Sequence, residues 1–196
     1  EVNALILLVG LAMLLLVRAD DLLVIYLCVE FQSLALYVLA AGRSHSILSV
    51  EAGMKYFVLG AVASGIFVFG AALLYGTTGL TKLTDLQLFL QGMEAMPLDN
   101  GVVLALACVG IGLLFKVGAA PFHWWVGDVY EGAPLPITAF FGIGPKVAIF
   151  GLIIRLFTLD GIYLQAAWGV LLPGCIALSF LVGAWGALTQ TKIKRL

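Results

Sequence analysis

Apolar residues fill this chain in long unbroken runs, and short polar clusters divide them. A helix needs about 20 apolar residues to cross the hydrocarbon core of a bilayer. About six runs approach that length. The first, 2–17, is short and closes at Arg18-Ala19-Asp20-Asp21. The second, 22–41, closes at Gly42-Arg43-Ser44-His45, and the third, 50–75, at Gly76-Thr77-Thr78-Gly79. A more polar connection over 80–100 holds a short interfacial helix near 83–90. The fourth run, 101–125, is broken near Pro121, because a proline inside a helix removes a backbone donor. The fifth, 135–157, carries Gly142, Gly144 and Pro145 at its middle, and the sixth covers 163–188. Continuous rather than alternating runs predict helices and not a barrel, since lipid leaves no open sheet edge satisfied. The predicted fold is an all-α integral membrane bundle of about six transmembrane helices. Small residues four apart (Ala61 and Gly65, Ala72 and Gly76, Gly183 and Ala187) predict close helix contacts.

Composition agrees. Of 196 residues, 63% are hydrophobic and 11% charged, against about 25% charged in soluble domains. The mean hydropathy is +1.14. A formal net charge of −1 leaves no basic face for nucleic acid. Cys28, Cys108 and Cys175 lie far apart in apolar runs, without disulfide or metal spacing, and read as small buried hydrophobes. Lys/Arg placement orients the bundle. One side receives Arg43, Lys192, Lys194 and Arg195. The other receives Arg18, Lys82 and Arg155, diluted by Asp20, Asp21, Asp85, Glu94, Asp99 and Asp160. The first side is the better candidate for the matrix or cytoplasm.

Against this background the ionisable residues within the runs stand out. A lysine in mid-membrane costs roughly 3 kcal/mol by insertion scales, so such residues mark ion or proton paths. Lys116 ends an apolar stretch just before the break at Pro121, and a charge beside a broken intramembrane helix is the arrangement of an ion site. Glu30 lies midway along the second run, and Lys146 follows Pro145 in the fifth. Lys55 stands one turn after Glu51, and His123 just past the break. An isolated buried carboxylate or ammonium resists ionising; brought together they hold each other charged, and separated they exchange protons readily. A glutamate on one helix and lysines on two others therefore form a switchable proton chain, and imidazole suits a relay. Plainer readings stand beside these. Glu30 and Lys116 fit a structural ion pair, Lys55 fits a lysine reaching to the headgroups, and His123 fits a helix-end hydrogen bonder. Trp124 and Trp125 read as interface anchors, and Asp128 and Glu131 as caps of the fifth helix or contacts to a neighbour. There is no phosphate-binding glycine loop, nucleophile motif or metal-ligand cluster, so no cofactor is expected in this chain.

Several strings resemble a known family. They are Val29-Glu30-Phe31-Gln32-Ser33-Leu34, Glu51-Ala52-Gly53-Met54-Lys55-Tyr56-Phe57, Phe115-Lys116, Pro121-Phe122-His123-Trp124-Trp125, Asp128 to Pro134, Lys146 to Gly151, and Leu188 to Leu196. Together they resemble the subunit 2 family of NADH:ubiquinone oxidoreductase, respiratory complex I, over nearly the whole chain. The stretch Asp128 to Pro134 separates it from the sister antiporter-like subunits, while Gly127 stands where the family usually has proline. The resemblance implies one of three antiporter-like subunits of the membrane arm, built from two inverted repeats. It implies a glutamate, Glu30, facing a broken-helix lysine, Lys116, with Lys146 leading onward. Residues 1–157 then form the first repeat, and 158–196 a further helix entering a second. The implied function is proton translocation coupled to electron transfer, with NADH, flavin, iron–sulfur clusters and ubiquinone handled by other subunits. The implied partners are those membrane-arm subunits, lipid with cardiolipin among the candidates, and a second repeat packed against 163–188. That repeat is expected on a separate polypeptide, with one continuous protein as the alternative. The implied compartment is the mitochondrial inner membrane, with the bacterial plasma membrane or thylakoid membrane as alternatives. A subunit of a multisubunit cation/proton antiporter and a structural module with vestigial pumping residues remain competing readings.

Overall fold

The computed structural model describes residues 1–43, 45–92, 99–157, 162–192 and 194–195. Among these residues the chain forms eight helices and no strand. They are α1 (Val2–Arg18), α2 (Leu22–Ala40), α3 (Ile47–Thr78), α4 (Leu83–Gly92), α5 (Asn100–Val117), α6 (Trp124–Gly132), α7 (Leu135–Phe157) and α8 (Ile162–Thr189). Five of them, α2, α3, α5, α7 and α8, are long and apolar enough to cross a membrane, and α1 is apolar but shorter. The expected fold is therefore the observed one. Glu94 and Asp160, counted in the orientation argument, lie outside the described residues.

The helix ends follow local chemistry. Asp21 caps α2, its Oδ1 accepting from the Leu23 N–H at 2.8 Å, and Asp99 caps α5 by accepting from the Gly101 N–H at 2.7 Å. Gly79 and Gly118 end α3 and α5 at φ 71° and 80°, a left-handed conformation that glycine adopts without a Cβ clash. The break in the fourth run thus begins at Gly118, three residues before Pro121. The Ala119 and Gly118 N–H groups both donate to the Leu114 carbonyl at 3.0 Å, closing the last turn of α5. The chain then turns through Ala119–His123, with a cis Ala120–Pro121 bond, and restarts as α6. Pro145 behaves differently, because α7 runs through it without interruption. The surrounding helices support that segment, as membrane helices often support an internal proline.

The core is where helix faces meet. Leu16, Ile25, Leu74, Leu86, Leu113, Ile149 and Leu152 are almost fully buried in one cluster, and Tyr37, Tyr56, Phe115, Trp125 and Phe141 belong to a second around the break. Helix α4 lies on the bundle surface, packing Leu83, Leu86 and Leu90 into the first cluster and leaving Thr84, Asp85 and Leu88 exposed. The predicted small-residue pairs do not make the close contacts. Among the described residues Ala61, Gly65, Ala72 and Gly76 face outward, with open space around the Cβ positions of Gly65 and Gly76, while Gly183 and Ala187 line an open cavity beside His123. The tight approach is between α3 and α5. A Cβ on Gly70 would stand 2.7 Å from the Ala105 carbonyl oxygen, and one on Gly112 would stand 2.7 Å from the Phe67 Cβ. Four-residue spacing alone does not say which side of a helix meets protein.

That difference is measurable. Gly70→Ala should destabilise the bundle by roughly 1–3 kcal/mol, because backbone must give way. Gly65→Ala should stay within about 1 kcal/mol of the parent or gain slightly, as expected for alanine in open helix surface. Thermal unfolding of the two variants in detergent checks the contrast; equal melting would refute the α3–α5 contact as described.

Candidate functional site

The site begins with the apolar cost of Lys116. This side chain sits in the last turn of α5 and is only 7% exposed. Two features of the fold receive it. The first is the helix end itself, whose partial negative charge favours a cation. The second is a polar set on α2 and α3. The Lys116 Nζ donates to the Ser33 Oγ at 2.8 Å and to the Ser64 Oγ at 3.2 Å, and lies 3.7 Å from the Glu30 Oε1. Ser64 in turn donates to the Glu30 Oε1. Ser33 donates to the Val29 carbonyl at 2.7 Å. Glu30 and Ser33 are three residues apart, so one face of α2 presents both. The face of Tyr37 completes the wall, its ring centre 6.0 Å from the Lys116 Nζ.

Of the residues predicted from sequence, the structure brings Glu30 and Lys116 together. Lys55 is placed elsewhere. It pairs with Glu51 and with Asp128, each at 2.7 Å, at the end of the bundle where α6 finishes. Lys146 is half-buried with its Nζ 5.6 Å from the Tyr130 ring centre. Among the described residues no hydrogen bond or ion pair joins Lys146 to Lys116 or Glu30. His123 opens α6, its Nδ1 buried without a hydrogen-bond partner among the described residues. It lines a cavity of about 310 Å³ with Gly118, Ala120, Ser179 and Gln190.

The aromatic residues divide. Trp124 is 76% exposed, as an interface residue should be. Trp125 is not an interface anchor. It is buried, stacks on Tyr56 at 4.5 Å, and donates from Nε1 to the Phe115 carbonyl at 3.2 Å. That bond ties α6 back to the last turn of α5 across the break. Asp128 and Glu131 form ion pairs in place of the predicted capping. Arg195 binds Asp128 at 2.7 Å and also Glu131, and Lys192 binds Glu131. The Lys194 Nζ donates to the Ala133 carbonyl at 2.7 Å. These acids offset the terminal cations, so the positive excess at this end is smaller than the loop count implied. At the opposite end, Arg155 donates to the Val17 and Ala19 carbonyls at 2.7 Å, and Thr81 donates to Asp21 at 2.6 Å.

Sequence reasoning missed Ser33 and Ser64. Ser33 was visible as a hydroxyl three residues after an intramembrane glutamate. Ser64 was visible only as a single hydroxyl midway along an apolar helix, a signal too weak without the packing of α3 on α5.

A family model described as NADH:quinone oxidoreductase/Mrp antiporter, TM, matches residues 19–196. The chain belongs to that family. It is 42% identical to the NADH-ubiquinone oxidoreductase chain 2 of Oenothera berteroana, over all of this chain and 40% of the relative. A chain in the structure of respiratory complex I from Thermus thermophilus with bound aureothin is 37% identical. It superposes with a TM-score of 0.81, covering 98% of this chain and 40% of that one. A chain of the Mrp complex from Dietzia sp. DQ12-45-1b is 28% identical with a TM-score of 0.78, covering 95% of this chain and 34% of that one. This family member therefore spans about two fifths of the length of the curated relative it matches.

The ionic cluster at the end of α6 yields a pH prediction. The hydrogen bond from Lys192, reinforced by Arg195, lowers the Glu131 carboxyl below its ordinary value of 4.5. A depressed carboxylate contributes its tether above the unfolded value and loses it as pH falls through the folded one. Hydrogen exchange over 189–192, corrected for the intrinsic amide rate at each pH, should therefore stay slow from neutrality to about pH 4.5 and rise below it. Glu131→Gln should raise it at neutral pH. Unchanged exchange in that variant would show that the tail is held by something else.

Proposed function

We propose that this chain is the proton-translocating part of an antiporter-like subunit in the membrane arm of complex I, coupling NADH:ubiquinone electron transfer to proton movement. The observation that carries the reading is the buried Lys116–Glu30 pair at the end of an interrupted helix. A charge there is costly, and its position beside broken backbone and an opposing carboxylate is that of a proton site. Held close, the two groups offset each other's charge. With the pair loosened, the lysine is ready to release its proton. Lys146 takes the next position, held against Tyr130 with no ion pair among the described residues, and His123 is a weaker member beside the break. Lys55, already committed to Glu51 and Asp128, fits a supporting role at the end of the bundle.

The names of the relatives support the assignment to complex I, and the bacterial and plant sources support either a mitochondrial inner membrane or a bacterial plasma membrane. Residues 1–157 serve as the first repeat and 158–196 as a further helix. A second antiporter-like unit, on this polypeptide or another, covers α8, where Val170, Phe180, Leu181 and Trp185 are exposed. Lipid, cardiolipin among the candidates, covers outward residues such as Leu7, Leu14 and Phe69. Redox chemistry is assigned to other subunits, a reading supported by the three cysteines lying buried on three different helices. A second reading, a cation/proton antiporter subunit without redox partners, is favoured by the likeness to the Mrp complex.

Lys116→Met should leave the complex assembled and NADH oxidation measurable while lowering the protons moved per NADH. Proton uptake by reconstituted vesicles checks this, and normal pumping would sink the assignment. Pumping that proceeds without NADH, driven by a cation gradient, would favour the antiporter reading.

A further inference from the structure

We infer that Ser64 is a relay hydroxyl that passes a proton between Lys116 and Glu30, while Ser33, which also touches Lys116, is an anchor that cannot. This rests on the reading of the pair as a proton site and names how its two members communicate.

The argument starts from distance. Lys116 Nζ and Glu30 Oε1 stand 3.7 Å apart, beyond the range of a good hydrogen bond. The Ser64 oxygen lies between them, accepting from the ammonium at 3.2 Å and donating to the carboxylate. The ion pair is thus bridged by a hydroxyl, a group that accepts and donates at once. Ser64 is 4% exposed, so almost no solvent reaches the bridge.

The bonding of the other helical hydroxyls sharpens the point. Ser33, Thr77, Thr78, Thr138 and Thr189 each donate to the carbonyl four residues earlier, the usual use of a hydroxyl inside a helix, Ser49 donates to the Ala40 carbonyl, and Thr84 donates to Asp20 at an exposed position. Ser64 donates to a carboxylate on a neighbouring helix. Its proton is therefore bound to a group that can take it. The Ser33 proton rests on the Val29 carbonyl, which cannot, so Ser33 only orients the lysine.

The step balances without an outside reactant. The Ser64 O–H proton moves to the Glu30 Oε1 as the Oγ takes one from the Lys116 Nζ. The O–H bond to the first proton breaks and one to the second forms. The serine is left intact, the lysine becomes a neutral amine and the glutamate a neutral acid. In apolar surroundings both the charged pair and the neutral pair are acceptable end states, whereas a single charge is not. The exchange toggles the pair with little movement of either helix, and the reverse step restores it.

Threonine and valine at position 64 have nearly the same shape and differ in the hydroxyl. Ser64→Thr and Ser64→Val should be compared in the assembled complex, with Lys116→Met as reference and native gels as the check of assembly. The expected result is near-native protons per NADH for Ser64→Thr, and a loss to the level of Lys116→Met for Ser64→Val. Equal pumping by the threonine and valine variants, whether both high or both low, would overturn the relay while leaving the role of Lys116 standing. Normal pumping by Lys116→Met would instead remove the proton site itself, and the relay with it.

Discussion

The structure is organised by the need to accommodate one ammonium group in an apolar interior. Lys116 carries a charge that hydrocarbon does not tolerate, and almost no solvent reaches it. Three helices answer that demand. α5 stops one residue after Lys116, so the charge sits in a C-terminal turn whose partial negative charge favours a cation. α2 turns Glu30 and Ser33 toward it. α3 supplies Ser64. Removing any one of these leaves a buried polar group short of partners, which is why the interrupted helix and the polar face of α2 belong to one design.

The close packing of α3 on α5 makes that meeting possible. Gly70 and Gly112 let the two backbones approach, and Ser64 stands about two turns from Gly70 on the same long helix. A bulkier contact would push α3 outward and carry the hydroxyl away from the ammonium. The glycines that matter here are those facing protein. Their outward counterparts, Gly65 and Gly76, meet no neighbour among the described residues.

Much of the fold was legible because hydrocarbon imposes a coarse rule. Long apolar runs between polar clusters mark spans, and the break near Pro121 followed from a missing donor. Glu30 and Lys116 were legible for the opposite reason, since their cost in lipid makes them conspicuous. What was not legible depends on which face of a helix meets which neighbour. Periodicity is faint where both lipid and protein contacts are apolar, so Gly65 and Gly70 looked alike. Trp125 resembled its exposed neighbour Trp124 until its stacking on Tyr56 and its bond to Phe115 were seen. Asp128 and Glu131 offered capping chemistry, yet their partners lie more than 60 residues away in the tail, beyond any local rule.

That tail gives the break a mechanical boundary. On one side Trp125 fastens α6 to the final turn of α5; on the other, Lys192, Lys194 and Arg195 fasten α6 to the chain leaving α8. The short helix is therefore a link held at both ends, with the five residues 119–123 as its joint. α8 also meets this joint directly, where the Ala120 N–H donates to the Ser179 Oγ at 3.0 Å. The turn just past Lys116 is thus anchored to α8 twice, once directly and once through α6.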